Sequence, residues 1–326
     1  MPTSFRLAAL GFLALASATA GGSPVRANPT YLTIDPPGTT NTLAEGVNTG
    51  GDVAGSYEDS SFNLHGFIWQ FSNNTYTTFD VPWSNETSVR SISGAKTTGF
   101  GGSGGFLRQA NGTIVPVDPA GSNGTTPLSI ASGWIAGYFI DPAIGNHYSG
   151  FLRDSGGTIT SFDVAGATNT NAVSVNNSGD VAGSYTDGGG THGFLRVVGG
   201  TITPFDVPGS TFTSVSAIMG NGKIVGYEGV NGHRAFIRRT NGSFRLFHIP
   251  GAGQINPTAA NNNWIAGNTL HAQVLHGFVR DPSGTSVVFD PPGSVRTTVS
   301  GVNASGMVVG QWRDSSGFPH GFLRIP

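Results

Sequence analysis

The chain has 326 residues, with 16 Lys plus Arg against 18 Asp plus Glu and a formal net charge of −2; that balance leaves no electrostatic footprint for nucleic acid or an anionic membrane surface. Only 10% of residues are charged, where soluble domains average roughly 25%, while 51 glycines and abundant Asn, Ser and Thr favour strands and tight turns over helices. A hydrophobic content of 37% with 21 Phe is too apolar for a disordered chain, and the absence of Cys excludes disulfide staples, thiolate zinc sites and cysteine nucleophiles, so the fold rests on core burial.

The N-terminus, MPTSFRLAALGFLALASATA, has one basic residue, Arg6, an apolar run from Leu7 to Ala16 and the small triplet Ala18-Thr19-Ala20. This is the pattern of a secretory signal cut after Ala20, with an alternative cut after Ala27. The run is too short to span a bilayer, and no other segment approaches 18 apolar residues. The expectation is a secreted or periplasmic protein with no membrane insertion, a short linker over 21–30 and one domain over 31–326.

From Tyr31 onward a short apolar-acidic pair recurs as Ile34-Asp35, Phe79-Asp80, Val117-Asp118, Phe162-Asp163, Phe205-Asp206, Phe247-His248 and Phe289-Asp290. A Phe preceded by a small residue keeps the same beat at Phe67, Phe106, Phe151, Phe194, Phe236, Phe278 and Phe322. Seven copies of one unit therefore fill the chain. In the unit beginning at Thr201, TITPFDVPG reads as a strand closed by a Pro-Gly turn, TSVSAIM as a second strand and KIVGY as a third. The preceding unit ends on HGFLRV (192–197), the fourth strand. Four strands per unit, with no helical spacing, predict an all-β, seven-bladed β-propeller of antiparallel sheets; six blades is the alternative, because the unit over 71–110 is short and degraded to TTGFGGSGGF. Gly55, Gly183, Gly226, Gly267 and Gly310 fall at one place in the third strand, where a side chain is expected to collide with a neighbouring strand. The chain opens on YLTID and ends on HGFLRIP, so residues 31–36 are expected to pair with the last GFLR strand and close the ring.

Units of the form N-x-S-G-x-V-x-G-x-Y followed by His-Gly-Phe, behind a signal segment, resemble the bacterial extracellular HAF-repeat proteins, named for a His-Ala-Phe triplet. The triplet stands here as His65-Gly66-Phe67, His192-Gly193-Phe194, His276-Gly277-Phe278 and His320-Gly321-Phe322, and is replaced at Gly104-Gly105-Phe106 and Arg234-Ala235-Phe236. The resemblance implies secretion and a propeller-like repeat fold, and no activity.

A residue copied once per blade is spread around a ring, whereas a reacting centre needs its groups in one place. Asp35, Asp80, Asp118, Asp163, Asp206 and Asp290 precede turns of the D-x-P-G kind and are read as acceptors of backbone N–H groups. The His of the triplet is read as a hydrogen-bonded histidine at the start of a strand, since no His-x-His or His-x-x-x-His spacing points to a metal. Arg108, Arg153, Arg196, Arg238, Arg280 and Arg324 are expected to lay their stems over neighbouring blades with solvated heads. Nucleophile-elbow, zincin, phosphate-loop and calcium-loop motifs are absent, and no cofactor is implied.

Function is better sought where the units differ. Loops joining strand four to the next strand one, and strand two to strand three, share one face of a propeller. They include PWSNET (82–87), IDPAIGNHYSG (140–150), EGVNGHR (228–234), TLHAQVLH (269–276) and RDSSGFPH (313–320). Their candidate ligand-binding residues are Trp83, Glu86, Asp141, His147, Tyr148, Arg234, Arg313 and Asp314, with His233 beside them. Aromatic rings near carboxylates and amides suit sugars, so the leading reading is a monomeric binding module for carbohydrate or another surface ligand. The alternatives are a hydrolase or lyase at the central tunnel, with Glu45, Arg90, Glu228 and His271 as candidates, and a protein-interaction scaffold.

Overall fold

The computed structural model describes residues 28–145, 147–229 and 234–326, so the expected signal segment over 1–20 and His233 lie outside the described residues. Seven separate four-stranded antiparallel sheets follow one another along the chain. Blade 1 comprises Asn41–Val47, Val53–Glu58, Leu64–Gln70 and Thr75–Phe79, which we letter a to d from the channel outward. Blades 2 to 6 span 88–116, 124–162, 169–205, 213–247 and 255–289. Blade 7 takes strands a to c from Arg296–Val302, Val308–Arg313 and Pro319–Ile325, and strand d from Thr30–Ile34 at the other end of the chain. That closing pair runs from Thr30 opposite Ile325 to Ile34 opposite Gly321, as the phase of the repeat requires.

The degraded unit is a complete blade 2. Its glycines have a local cause: a Cβ on Gly104 would meet Trp83 Nε1 at 2.9 Å, and one on Gly101 would overlap Val81, because the loop arriving from blade 1 folds over this hairpin.

Strand a bulges at the same point in all seven blades, at Glu45, Arg90, Leu128, Val173, Ser216, Thr258 and Ser300. The carbonyl two residues before each bulge lies over the glycine of strand b. A Cβ there would overlap Leu43 O at Gly55, Asn171 O at Gly183, Ser214 O at Gly226, Asn256 O at Gly267 and Thr298 O at Gly310. The repeated glycine is thus forced by the close approach of backbone to backbone.

The seven repeated Phe are all fully buried, one per blade, against the apolar residues of strands a and b. The second apolar position has a more specific use. The ring of the d-strand Phe leaves no room for a Cβ at the triplet Gly of its own blade (2.7 Å at Gly66 from Phe79). The same ring carries the Arg of the following blade, with Arg108 over Phe79, Arg196 over Phe162, Arg238 over Phe205, Arg280 over Phe247 and Arg324 over Phe289, at 4.7–5.1 Å. This corrects the expectation of solvated heads: Arg196, Arg238, Arg280 and Arg324 are buried, and burial lowers the pKa of Arg196, Arg238 and Arg280. Arg153 has no such ring because Val117 stands in the preceding blade where the other stacks have Phe, and its Nη1 donates to Asp154 O instead.

Polar ties join blade to blade. Val89 N donates to Ser56 Oγ, Val215 N to Ser184 Oγ and Val299 N to Asn268 Oδ1, each at 2.8 Å. At the seam, Gln311 Nε2 donates to Asn41 Oδ1 and Thr42 O, and Asn303 Nδ2 to Asn48 O.

Candidate functional site

The loops from strand d to the next a, and from b to c, lie at one end of the ring, and the turns from a to b lie at the other. The repeated Asp stands at the loop end, where strand d stops and strand c begins. Its partner is across the sheet: His65 Nδ1 meets Asp80 at 2.8 Å, His192 meets Asp206 at 2.9 Å, His276 meets Asp290 at 2.6 Å and His320 meets Asp35 at 2.6 Å. Where the His is missing in blade 2, the N–H of Gly105 donates to Asp118 directly, and in blade 3 the hydroxyl of Ser149 donates to Asp163. The Asp therefore binds the neighbouring strand and not its own turn, which is closed by backbone bonds such as Thr39 N to Pro36 O.

In two blades the imidazole has hydrogen-bonded carboxylates at both nitrogens. Nε2 of His65 faces Asp59 at 3.4 Å, and Nε2 of His192 faces Asp187 at 3.1 Å. A neutral imidazole carries one N–H, so this arrangement belongs to the imidazolium form. The hydrogen bond to Asp206 raises the pKa of His192; that of His65 is also raised, because Asp80 and Asp59 outweigh the opposing effect of burial. Each ring also packs on an aromatic of strand b, His65 on Tyr57 and His192 on Tyr185. The backbone N–H groups of the loop hold Asp59 down to about 2, with that of Asn63 first, and lower Asp187, with that of Gly189 first.

The structure separates the other candidates by occupation. Asp141 accepts the N–H of Ala143 and caps the short turn Pro142–Ile144. Asp314 accepts Ser316 N and Phe318 N within its own loop, and Arg313 Nη1 donates to Gly317 O. Arg234 takes the place of the triplet His, and its Nε donates to Glu228 Oε1 on strand b, while His248 holds the place of the repeated Asp. His147 Nε2 contacts Ser149 Oγ at 3.2 Å, and His271 Nδ1 contacts Gly251 O at 2.9 Å. Glu228 and His271 thus sit at the loop end and do not line the channel, unlike Glu45 and Arg90. Trp83 and Tyr148 are each 41% exposed, Glu86 is exposed, and the Tyr148 ring lies 4.9 Å from that of Tyr138.

Two features went unread in the sequence. Phe62, Ile144, Val274, Val295 and Phe318 are exposed on the same loop end as Trp83 and Tyr148, on blades 6, 7, 1, 2 and 3, which are consecutive around the ring. Among the described residues, the other exposed large hydrophobics are Val197, Val198, Leu246 and Val288, on strand d or the turn leading to it. A large apolar residue inside a Gly/Ser/Asn loop is the signal that could have found them. The second is a cleft of about 90 Å³ on blade 7 between Arg296, Thr298, Gln311 and Arg313, with the two arginines directly opposite in register. Like charges facing across a ladder are unfavourable without a counter-charge.

Fold and site together define a seven-bladed β-propeller closed by its N-terminal strand, with an apolar and aromatic arc on one loop face. No protein-family model matches the sequence, and no curated protein matches it. The chain is similar in structure to virginiamycin B lyase from Staphylococcus aureus, a catalytically inactive form solved with quinupristin: TM-score 0.63, 12% identity, 92% of this chain and 100% of that one covered. It is also similar to the β-propeller domain of the Trilobed protease from Pyrococcus furiosus (0.61, 10%, 88% and 94%) and to YCF48 from Cyanidioschyzon merolae (0.57, 10%, 90% and 98%). At these identities the likeness is one of fold.

Proposed function

We propose that the protein is a secreted binding module of the HAF-repeat type, which holds a carbohydrate on the loop face of the propeller. The observation that carries this reading is the placement of Phe62, Trp83, Tyr148 and Phe318 on one end of the ring, across the contiguous blades 7, 1, 2 and 3. Exposed rings cost hydration free energy unless something covers them, and sugar C–H faces stack on such rings while loop amides and carboxylates bind the hydroxyls. The paired Arg296 and Arg313 favour a glycan bearing acidic substituents. A hydrolase using two carboxylates in the channel draws no support, since Glu45 is the single carboxylate among the described residues lining it.

The test is a glycan and polysaccharide array probed with the purified protein and with a Trp83→Ala, Tyr148→Ala double variant. Binding by the parent that falls at least about tenfold in the double variant supports the reading, because stacked rings each contribute on the order of 1 kcal/mol. Equal signals in both proteins, or none in either, would remove it.

A further inference from the structure

The channel itself is a cavity of about 910 Å³, running from the ring of strand-a bulges to the turns between strands a and b, away from the loop face. Glu45 and Arg90 are the only charged groups in its lining. They are the bulge residues of adjacent blades, and Arg90 Nη1 lies 3.8 Å from Glu45 Oε1, near enough to attract and too far to hydrogen-bond. The Arg90 guanidinium stacks at 5.2 Å on Phe100, and its Nε is buried with no hydrogen-bond partner. Burial raises the pKa of Glu45 more than Arg90 and the Ser300 hydroxyl lower it. Two opposite charges thus stand side by side in the channel wall, Glu45 with the Ser300 hydroxyl as partner and Arg90 with its Nε unpartnered. The next two bulges around the ring, Leu128 and Val173, are apolar and line the same cavity.

A plain anion at Arg90 would be repelled by Glu45, and a plain amine at Glu45 by Arg90. A molecule that carries ammonium and carboxylate on one carbon matches both. We propose that the channel is a binding site for the zwitterionic head of an apolar α-amino acid, its carboxylate on Arg90, its ammonium on Glu45 and its side chain along Leu128 and Val173. The volume exceeds that of one amino acid, and a peptide N-terminus, with its ammonium and first carbonyl, offers related chemistry.

Isothermal titration of the purified protein tests this with L-leucine, leucine amide, 4-methylpentanoate and the dipeptide Leu-Gly as probes. Leucine is expected to bind, and losing either charged end is expected to weaken binding at least roughly tenfold, as is Glu45→Gln or Arg90→Gln. Leu128→Ala should narrow the preference for leucine over glycine. The Trp83→Ala, Tyr148→Ala variant, altered at the other end of the ring, should bind leucine unchanged. Tighter binding of Leu-Gly, still lost in Glu45→Gln, assigns the head to a peptide. Failure of leucine and Leu-Gly to bind, or binding indifferent to both charge variants while their thermal unfolding matches the parent, overturns the proposal.

Discussion

His320 and Asp35 are separated by 285 residues in the chain and by 2.6 Å in the fold, Nδ1 to Oδ2. Gly321 N donates to the other oxygen of the same carboxylate at 3.2 Å, so one side chain ties the two strands of the closing pair together at their Ile34–Gly321 end. Asp35→Ala should lower unfolding stability by about 1–2 kcal/mol, since it strands a histidine that is only partly exposed. A double-mutant cycle with His320→Ala, read by urea unfolding, should give a coupling of about 1 kcal/mol; additivity would show that the pair adds nothing to closure.

The imidazolium clasps make stability depend on pH in a defined direction. The pKa of His192 is raised in the folded state, so its contribution is full below the unfolded value near 6.5 and is lost as pH rises through the folded value. The pKa of Asp187 is lowered, so its contribution is present above the unfolded value near 3.9 and is lost as pH falls through the folded one. The clasp is therefore strongest between roughly pH 4 and 6.5. His192→Gln should flatten the decline in melting temperature from pH 6 to 8 relative to the parent; an unchanged slope would refute the charged form.

Glycine of strand b should tolerate nothing larger. Gly183→Ala drives a methyl into the carbonyl of Asn171 and the ring of Phe194, and is expected to cost about 3 kcal/mol or to prevent folding. Gly188→Ala, in an open loop with no atom within 4 Å, should shift the unfolding midpoint by less than about 0.5 kcal/mol. Equal effects at the two sites would remove the close-approach explanation.

The arginine stacks can be separated into charge and packing. Arg196→Ala removes a buried stem and its stacking on Phe162, a loss of about 1–2 kcal/mol. Arg196→Met keeps much of the volume without a buried cation and should fall within about 1 kcal/mol of the parent. Arg153→Ala, where no ring lies beneath, should cost less than Arg196→Ala; chemical denaturation of all three ranks them.

The ring was legible because packing repeats. A Phe in every unit, a glycine under every bulge and an orphan strand at each terminus are sequence marks of single geometric demands, and blade count, closure and glycine collisions follow from them. The partners of Asp35 and Arg196 were not legible, because each reaches across a strand or blade boundary that spacing along one unit does not reveal. The loop-face candidates were harder still. Asp141 and Asp314 look like ligands in the sequence, but local hydrogen bonds within their own loops occupy them, whereas Phe62 and Phe318 carry no polar chemistry that would attract notice. The channel pair Glu45 and Arg90 stood out only as unrepeated charges, and the bulge that sets them side by side is a backbone feature.

Because strand d of blade 7 comes from Thr30–Ile34 while its neighbour is Pro319–Ile325, a nascent molecule cannot complete its circle until Ile325 has emerged. Six sheets can form in order of synthesis, yet the seventh keeps a naked border on Pro319–Ile325 until the far terminus arrives. That sealing step joins the most distant parts of the polymer, the kind of contact that forms slowly. Until then the open border is a template for pairing with a second molecule.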